Sequence, residues 1–256
     1  MFYGWRPYIS VAQRRRKAEQ GIQKLTKKGH ALSPVVIHSR KITQTFWGKA
    51  WCENLERYSD FSNRLPRGRT YVRNGLVLDL QISHGQALAM VSGSHIYKVT
   101  VKVSGVSKAR WRSICKDCAG AIDSLVELLQ GRFSQSVMER ICQQKTGLFP
   151  APEEITLSCS CPDWASMCKH VAAALYGIGA RLDTQPELLF KLREVNENDL
   201  ITTAGSVLTL VKSRPAVGKI LVADSLSDLF GLDIADGKRA QHSRAKPTMK
   251  NSKKAE

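Results

Sequence analysis

Leu76-Val77-Leu78-Asp79-Leu80-Gln81-Ile82 decides the fold class of this chain, together with the two runs behind it, residues 87–92 and 97–103. Successive side chains of a strand point to opposite faces. Leu76, Leu78, Leu80 and Ile82 therefore share one apolar face, while Asp79 and Gln81 turn away. In the third run Tyr97, Val99, Val101 and Val103 point inward, Lys98 and Lys102 outward. The breaks between runs are short, which fits antiparallel strands, since parallel ones need a long crossover. Asn74-Gly75, ahead of the first run, is the pair favoured in type I′ hairpin turns. It predicts one more strand over 70–73, and hence a four-stranded antiparallel sheet.

Helices must cover the apolar face of such a sheet. Phe46, Trp47, Ala50, Trp51, Leu55 and Tyr58 recur every three to five residues and predict a helix over 44–58, with Thr43 or Thr45 as its cap. This aromatic stripe reads as core, with base stacking as the alternative. Residues 109–143 read as helical, with Trp111, Ile114, Cys115, Cys118, Ile122, Leu125 and Leu129 on one face and a second helix over 134–143. Cys115 and Cys118 lie on the apolar stripe and read as packing, the alternative being a redox or metal role. Residues 171–182 are apolar almost all round, and such a helix must be buried. A short helix follows over 186–193.

Residues 159–170 read Cys-Ser-Cys-Pro-Asp-Trp-Ala-Ser-Met-Cys-Lys-His. Three cysteines and a histidine fall as C-x-C, six residues, then C-x-H. Structural Zn²⁺ takes four ligands in a tetrahedron. Residues 155–161 read as a strand, so Cys159 and Cys161 share a side and can grip one ion; Pro162 stops the strand because it lacks an amide hydrogen. Cys168 and His170 sit in the turn that enters the apolar helix. Three thiolates on a dication leave a charge of about −1, which Lys169 and the helix N-terminus are suited to stabilise. Two other readings compete: each cysteine as a small core residue, or redox chemistry, whose C-x-x-C spacing this pair lacks. With four protein ligands no coordination position remains for water, so the ion reads as structural.

The dozen resembles the SWIM zinc finger, whose pattern of C-x-C, a variable spacer and C-x-H is complete at Cys159, Cys161, Cys168 and His170. Thr45-Phe46-Trp47-Gly48-Lys49-Ala50-Trp51-Cys52, Asn63-Arg64-Leu65-Pro66-Arg67-Gly68-Arg69 and Pro186-Glu187-Leu188-Leu189-Phe190 are also similar to segments of bacterial SWIM zinc finger family proteins. The resemblance covers roughly residues 1–200. It implies zinc binding and DNA or protein binding, since SWIM modules occur beside helicase-type remodelling ATPases, in transposases and in recombination accessory factors.

The net charge is +17, and its location matters. Residues 1–30 carry +7, with eight Lys/Arg against Glu19. Residues 237–256 carry +6, leaving +4 for the remaining 206 residues. A strongly basic chain commonly has an anionic polymer as partner, and the two ends would supply most of the attraction. Arg14, Arg15, Arg16 and Lys17 lie on an arm whose Ala18, Ile22 and Leu25 form a thin helical stripe. They read as nucleic-acid contacts or as a solvated run. Arg64, Arg67, Arg69 and Arg73 form the densest basic spot of the middle, a Gly/Pro loop suited to clasping phosphate. The alternative there is internal pairing with Glu56, Asp60 or Asp79.

The expected fold class is α+β: an antiparallel sheet with packed helices, then a zinc-pinned β-hairpin/helix module and a disordered basic C-terminal tail. The expected divisions are a basic arm over 1–30, an α+β domain over 31–145, the SWIM-type module over 146–200, a linker with an apolar segment over 201–235, and the tail over 236–256. Leu226, Leu229 and Phe230 of that segment are candidates for docking onto a partner, or for completing the chain's own core. Seven cysteines, an odd number, and no signal-like or membrane-spanning run point to the cytoplasm, at the nucleoid if DNA is the ligand. There is no phosphate-binding glycine loop, nucleophile elbow or H-E-x-x-H; only a nuclease built on Glu56, Asp60 or Asp79 stands as an enzymatic alternative. The reading is a non-enzymatic protein with one structural Zn²⁺, binding nucleic acid, DNA foremost, or acting as an adaptor; the resemblance implies that it is accessory to a helicase-type ATPase. The alternative is a pure protein-interaction module. Neither a membrane nor a small-molecule substrate is expected.

Overall fold

A computed structural model describes residues 9–57, 63–122 and 124–201. In chain order these form α1 (Val11–Lys27), α2 (Phe46–Glu56), α3 (Leu65–Arg73), β1 (Val77–Ser83), β2 (Gln86–Ser92), β3 (Ile96–Val103), α4 (Lys108–Asp117), α5 (Leu125–Gln130), α6 (Gln135–Cys142), β4 (Ile155–Cys159), α7 (Lys169–Leu182) and α8 (Glu187–Leu192). The α+β class and the four-stranded antiparallel sheet are as expected, with strand order β1-β2-β3-β4.

The membership of the sheet differs. Residues 70–73 are the last turn of α3, not a strand. Asn74 caps that helix, and Gly75, at φ +67°, turns the chain out of it. The Gly75 N–H bonds to Val72 O and the Leu76 N–H to Tyr71 O, the paired bonds of a Schellman motif. A hairpin turn and a helix C-cap both need positive φ after Asn, so the dipeptide alone did not separate them. The fourth strand is instead β4, paired with β3 through Val99–Cys159, Val101–Leu157 and Val103–Ile155. The finger thus contributes one strand to the main sheet rather than a hairpin of its own. The division expected at 145/146 does not separate two cores, because sheet and hydrophobic core run through it.

β1 also departs from simple alternation. Val77 pairs with Val91, but Asp79 pairs with Met90, so Leu78 is an extra residue in a bulge. The bulge splits the apolar set. Val77, Leu80 and Ile82 face the main core, whereas Leu76 and Leu78 meet Ala18 of α1 on the other side. Helix α1, started by a capping box between Ser10 and Gln13, lies there with Ala18 buried and Ile22 and Leu25 packed beside it. Asp79, expected to point to solvent, is buried and accepts the Ser33 N–H at 2.7 Å, which holds the chain before α2 along β1.

The main core gathers on α7. Nearly every residue of this helix is buried, and it packs on α2, on α3 and on β1–β3. Its small residues permit close approach: a Cβ on Gly68 of α3 would lie 2.5 Å from the Ala172 Cβ. The α2 aromatic stripe is core. Trp47 and Trp51 are 0% exposed, and their indole N–H groups donate to Leu128 O and Leu175 O. That removes both from base stacking; Tyr58 lies outside the described residues. Thr45 occupies the N-cap position without a side-chain cap bond; Asp183 instead accepts the Gln44 and Thr45 N–H groups and the Thr45 hydroxyl.

The helix expected to run from Trp111 to Leu129 is two helices. Gly120, at φ +73°, breaks the path, and Ser124 caps α5. Cys115 and Cys118 are buried, and burial pushes their thiols up to about 12 and about 11, which is the packing reading. Arg193, wholly buried after α8, donates to Ser104 O and to Glu154 at 3.0 Å. Arg110 of α4 donates to the same carboxylate at 2.9 Å. Burial opposes charge on Glu154, yet the Ala151 N–H, Arg193 and Arg110 together hold its carboxyl below the usual range.

Candidate metal centre

Strand β4 and helix α7 each deliver part of the site. Cys159 ends β4, on the core-facing side that it shares with Val99. Cys161 follows after Ser160, whose N–H still bonds to Lys98 O. The chain then loops through 162–167, and Cys168 is the N-cap of α7, with His170 in its first turn. The four ligand atoms all lie within 4.8 Å of one another. His170 Nδ1 is 3.7 Å from Cys168 Sγ and 3.9 Å from Cys159 Sγ. A tetrahedron with Zn–S of about 2.3 Å and Zn–N of about 2.0–2.1 Å has S···N edges of about 3.6 Å, so the spacing fits. Among the described residues no other group of three or more His, Cys, Asp or Glu gathers in this way.

The surroundings fix the imidazole. Its ring lies against Tyr97, centroids 4.4 Å apart, and edge-on to Tyr71 at 5.5 Å. Nε2 is buried, has no hydrogen-bond partner among the described residues, and points at Gly93, where a Cβ would approach it to 2.9 Å. Metal-bound histidines usually donate from the second nitrogen to a carbonyl or carboxylate; here aromatic packing and a missing side chain take that role. Burial, helped by Lys169, brings the His170 pKa down to about 4, which keeps it a neutral ligand. Burial pushes the Cys159 thiol up to about 12 and raises Cys168 too, although the Val171 and His170 N–H groups favour the Cys168 thiolate. Without a cation the pocket therefore favours neutral thiols, and a dication supplies the charge that lets them ionise.

Residues 147–177 match the SWIM zinc finger family model. The chain carries a SWIM zinc finger. It is also 32% identical over 163 residues to "Uncharacterized protein Rv2102" of Mycobacterium tuberculosis (strain ATCC 25618 / H37Rv), a match covering 62% of this chain and 58% of that protein. The chain thus aligns with little more than half the length of that relative. No solved structure matches it. The SWIM finger is a single Cys3His site consistent with one structural Zn²⁺, and all four positions are protein side chains.

The basic residues expected to meet nucleic acid fall into two groups around the SWIM finger. Arg14 of α1, Arg67 of α3 and Lys169 of α7 line one shallow cleft of about 290 Å³ with Thr70 and Tyr71. None of these three cations has an ion pair among the described residues. Lys17 reaches Ser94 O at 2.6 Å and Arg15 reaches Asn74 Oδ1 at 3.3 Å, pinning α1; Arg16 is exposed. Arg64 and Arg69 are engaged internally, with Asp163 of the finger at 3.5 Å and with Glu56 at 2.9 Å. For Arg69 that is the alternative of internal pairing with Glu56; Arg64 pairs instead with Asp163, outside the expected set of Glu56, Asp60 and Asp79. The segment holding them is the start of a helix, with Pro66 in its first turn, rather than a loop. Arg73 is exposed at the far end of α3. Glu56, also bonded by the Tyr176 hydroxyl, and Asp79 sit on separate elements. Asp60, Leu226, Leu229 and Phe230 lie outside the described residues.

Sequence reading passed over two residues. The sequence marks Lys169 only as a charge beside the ion. Trp164 carries no marker in the sequence; in the structure it stands 94% exposed on the loop 162–167, while Met167 of that loop is buried. Among the described residues no helix is long and apolar enough to cross a membrane.

Proposed function

We propose that this protein is a non-catalytic nucleic-acid-binding factor, in which the SWIM finger is the rigid anchor of a basic face, and that it serves a helicase-type remodelling or repair ATPase. The observation that carries this reading is the meeting of Arg14, Arg67 and Lys169, from three helices far apart in sequence, around one cleft beside the zinc ligands. Cations without an ion pair among the described residues, converging on one surface, are the footprint of a polyanion. A non-catalytic role fits a metal whose four positions are filled by side chains, leaving no place for an activated water. The ATPase follows from the company that SWIM modules keep.

The test is fluorescence anisotropy of labelled DNA across a salt series. Each phosphate neutralised contributes about −0.9 to the slope of log K against log[salt] on duplex DNA. Replacing Arg14, Arg67 and Lys169 together by alanine is expected to flatten the slope by roughly 2–3. An unchanged slope and affinity would move the binding surface away from this cleft.

A further inference from the structure

The spacer of the SWIM finger, residues 162–167, presents the most exposed large hydrophobic side chain among the described residues, Trp164 at 94%. The contrast with Trp47, Trp51 and Trp111 is complete: all three are buried and spend their indole N–H on a protein acceptor. An indole left in water forfeits about the largest burial energy a side chain can gain, and that energy is available to an external partner.

The loop holds it there. Cys161 and Cys168 fix both ends, Met167 is buried beneath, and Asp163 accepts the Ala165 N–H at 3.2 Å. Asp163 also pairs with Arg64 at 3.5 Å, which ties the loop to the start of α3. A side chain presented on a loop anchored this way loses little freedom on binding. The Asp163–Arg64 pair joins this loop to α3, whose Arg67 lines the basic cleft with Lys169. Arg64 opens α3, Arg67 lies one turn further along it, and Lys169 follows the third zinc ligand. A protein partner would call for an apolar rim around the indole, whereas the residues nearest it in the loop, Asp163, Ala165 and Ser166, are small or polar.

We propose that Trp164 is a stacking platform for an unpaired base, so that single-stranded nucleic acid is the preferred occupant of the basic face. This rests on the nucleic-acid reading above. Aromatic side chains beside a positive groove are how proteins hold single strands without reading sequence. In a duplex the faces of the bases are already covered by their neighbours, and an indole has nothing to stack on.

The experiment uses the full zinc-loaded chain and three labelled probes at one salt concentration: oligothymidylate, oligouridylate and a DNA duplex of equal length. Trp164→Ala is expected to weaken the single strands roughly tenfold or more and to leave the duplex within about twofold. Trp164→Phe is expected to retain most of the affinity, and zinc content and melting temperature are expected to stay at the wild-type level in both variants. The two single-stranded arms report whether the sugar matters. Equal loss on strands and duplex, or no loss on either, overturns the stacking role while leaving the basic cleft standing. A wild-type chain that binds none of the three overturns the nucleic-acid reading and this inference with it. Loss of a protein partner by Trp164→Ala with oligonucleotide affinities intact makes the loop a protein-docking element and overturns the inference alone.

Discussion

Among the described residues His170 is held by aromatic packing and by the room that Gly93 leaves it. Adding a methyl at Gly93 drives a Cβ to 2.9 Å from both Nε2 and the Tyr97 ring edge, so the imidazole or the tyrosine must move. Supporting residues around metal ligands are typically worth 10–100-fold in affinity. Gly93→Ala is therefore expected to weaken zinc by about tenfold, measured by competition with a chromogenic chelator, with the protein still folded. The four ligands were legible in the sequence because they lie within twelve residues and obey the spacing of a tetrahedral ion. Gly93, Tyr97 and Tyr71 were not, because they reach the histidine from the turn after β2, from β3 and from α3, and no local pattern links them to it. The exposure of Trp164 was not legible either, because position in the spacer does not decide it: Met167 of the same loop is buried.

Helix crossing and buried charge carry the next level. At Gly68 a new Cβ meets backbone atoms of Ala172 and Ala173 within 3 Å, and backbone cannot swing aside as a side chain can. Gly68→Ala is expected to cost about 1–3 kcal/mol, as overpacking does, read as a lower midpoint in urea. Glu154→Gln removes the negative charge that Arg110 and the wholly buried Arg193 share. Breaking a buried pair costs roughly 3–5 kcal/mol, and the partial exposure of Glu154 puts the expectation at the lower end. The folded carboxyl lies below its usual value, so its stabilisation is present above the ordinary range near pH 4 and is lost as pH falls through the folded value. The deficit of Glu154→Gln against wild type is thus expected in full at neutral pH and to close in acid, as urea titrations at several pH values can show. Elements with long, strict periodicity, α2, α7, β2 and β3, were readable. The errors sit where one local signal serves two structures: Asn74-Gly75 fits a hairpin turn as well as a helix cap, and the Leu78 bulge turns one apolar run toward two different cores. The sheet face of α1 is legible in Ala18, Ile22 and Leu25; that this face meets Leu76 and Leu78 is not, because the bulge is a product of pairing with β2.

On the scale of the whole molecule the SWIM finger is part of the core and not an appendage. Cys159 ends a strand of the main sheet, and Cys168 and His170 begin the helix on which α2, α3 and the sheet pack. Structural zinc supplies apparent binding energies of about 10–16 kcal/mol in finger peptides, more than a domain's usual net stability of about 5–15 kcal/mol can easily spare. Chelation, or Cys161→Ala, is expected to lower the melting of the described fold in a single transition that takes the sheet and the helices together. A two-step melt that leaves the 77–103 hairpins intact would contradict this. The pairing of β3 with β4 has a further meaning in time. These strands meet across some fifty intervening residues, and a chain loses more entropy in closing so long a loop than in closing a short one. The twelve residues from Cys159 to His170 can close on an ion in the unfolded chain, within the fast times of short-loop closure. Zinc captured there joins the end of β4 to the start of α7 before either has found the sheet. The metal then acts as a seed for the fold: refolding from urea should run faster in its presence, whereas an ion acting only as a final clasp would slow unfolding and leave the refolding rate unchanged.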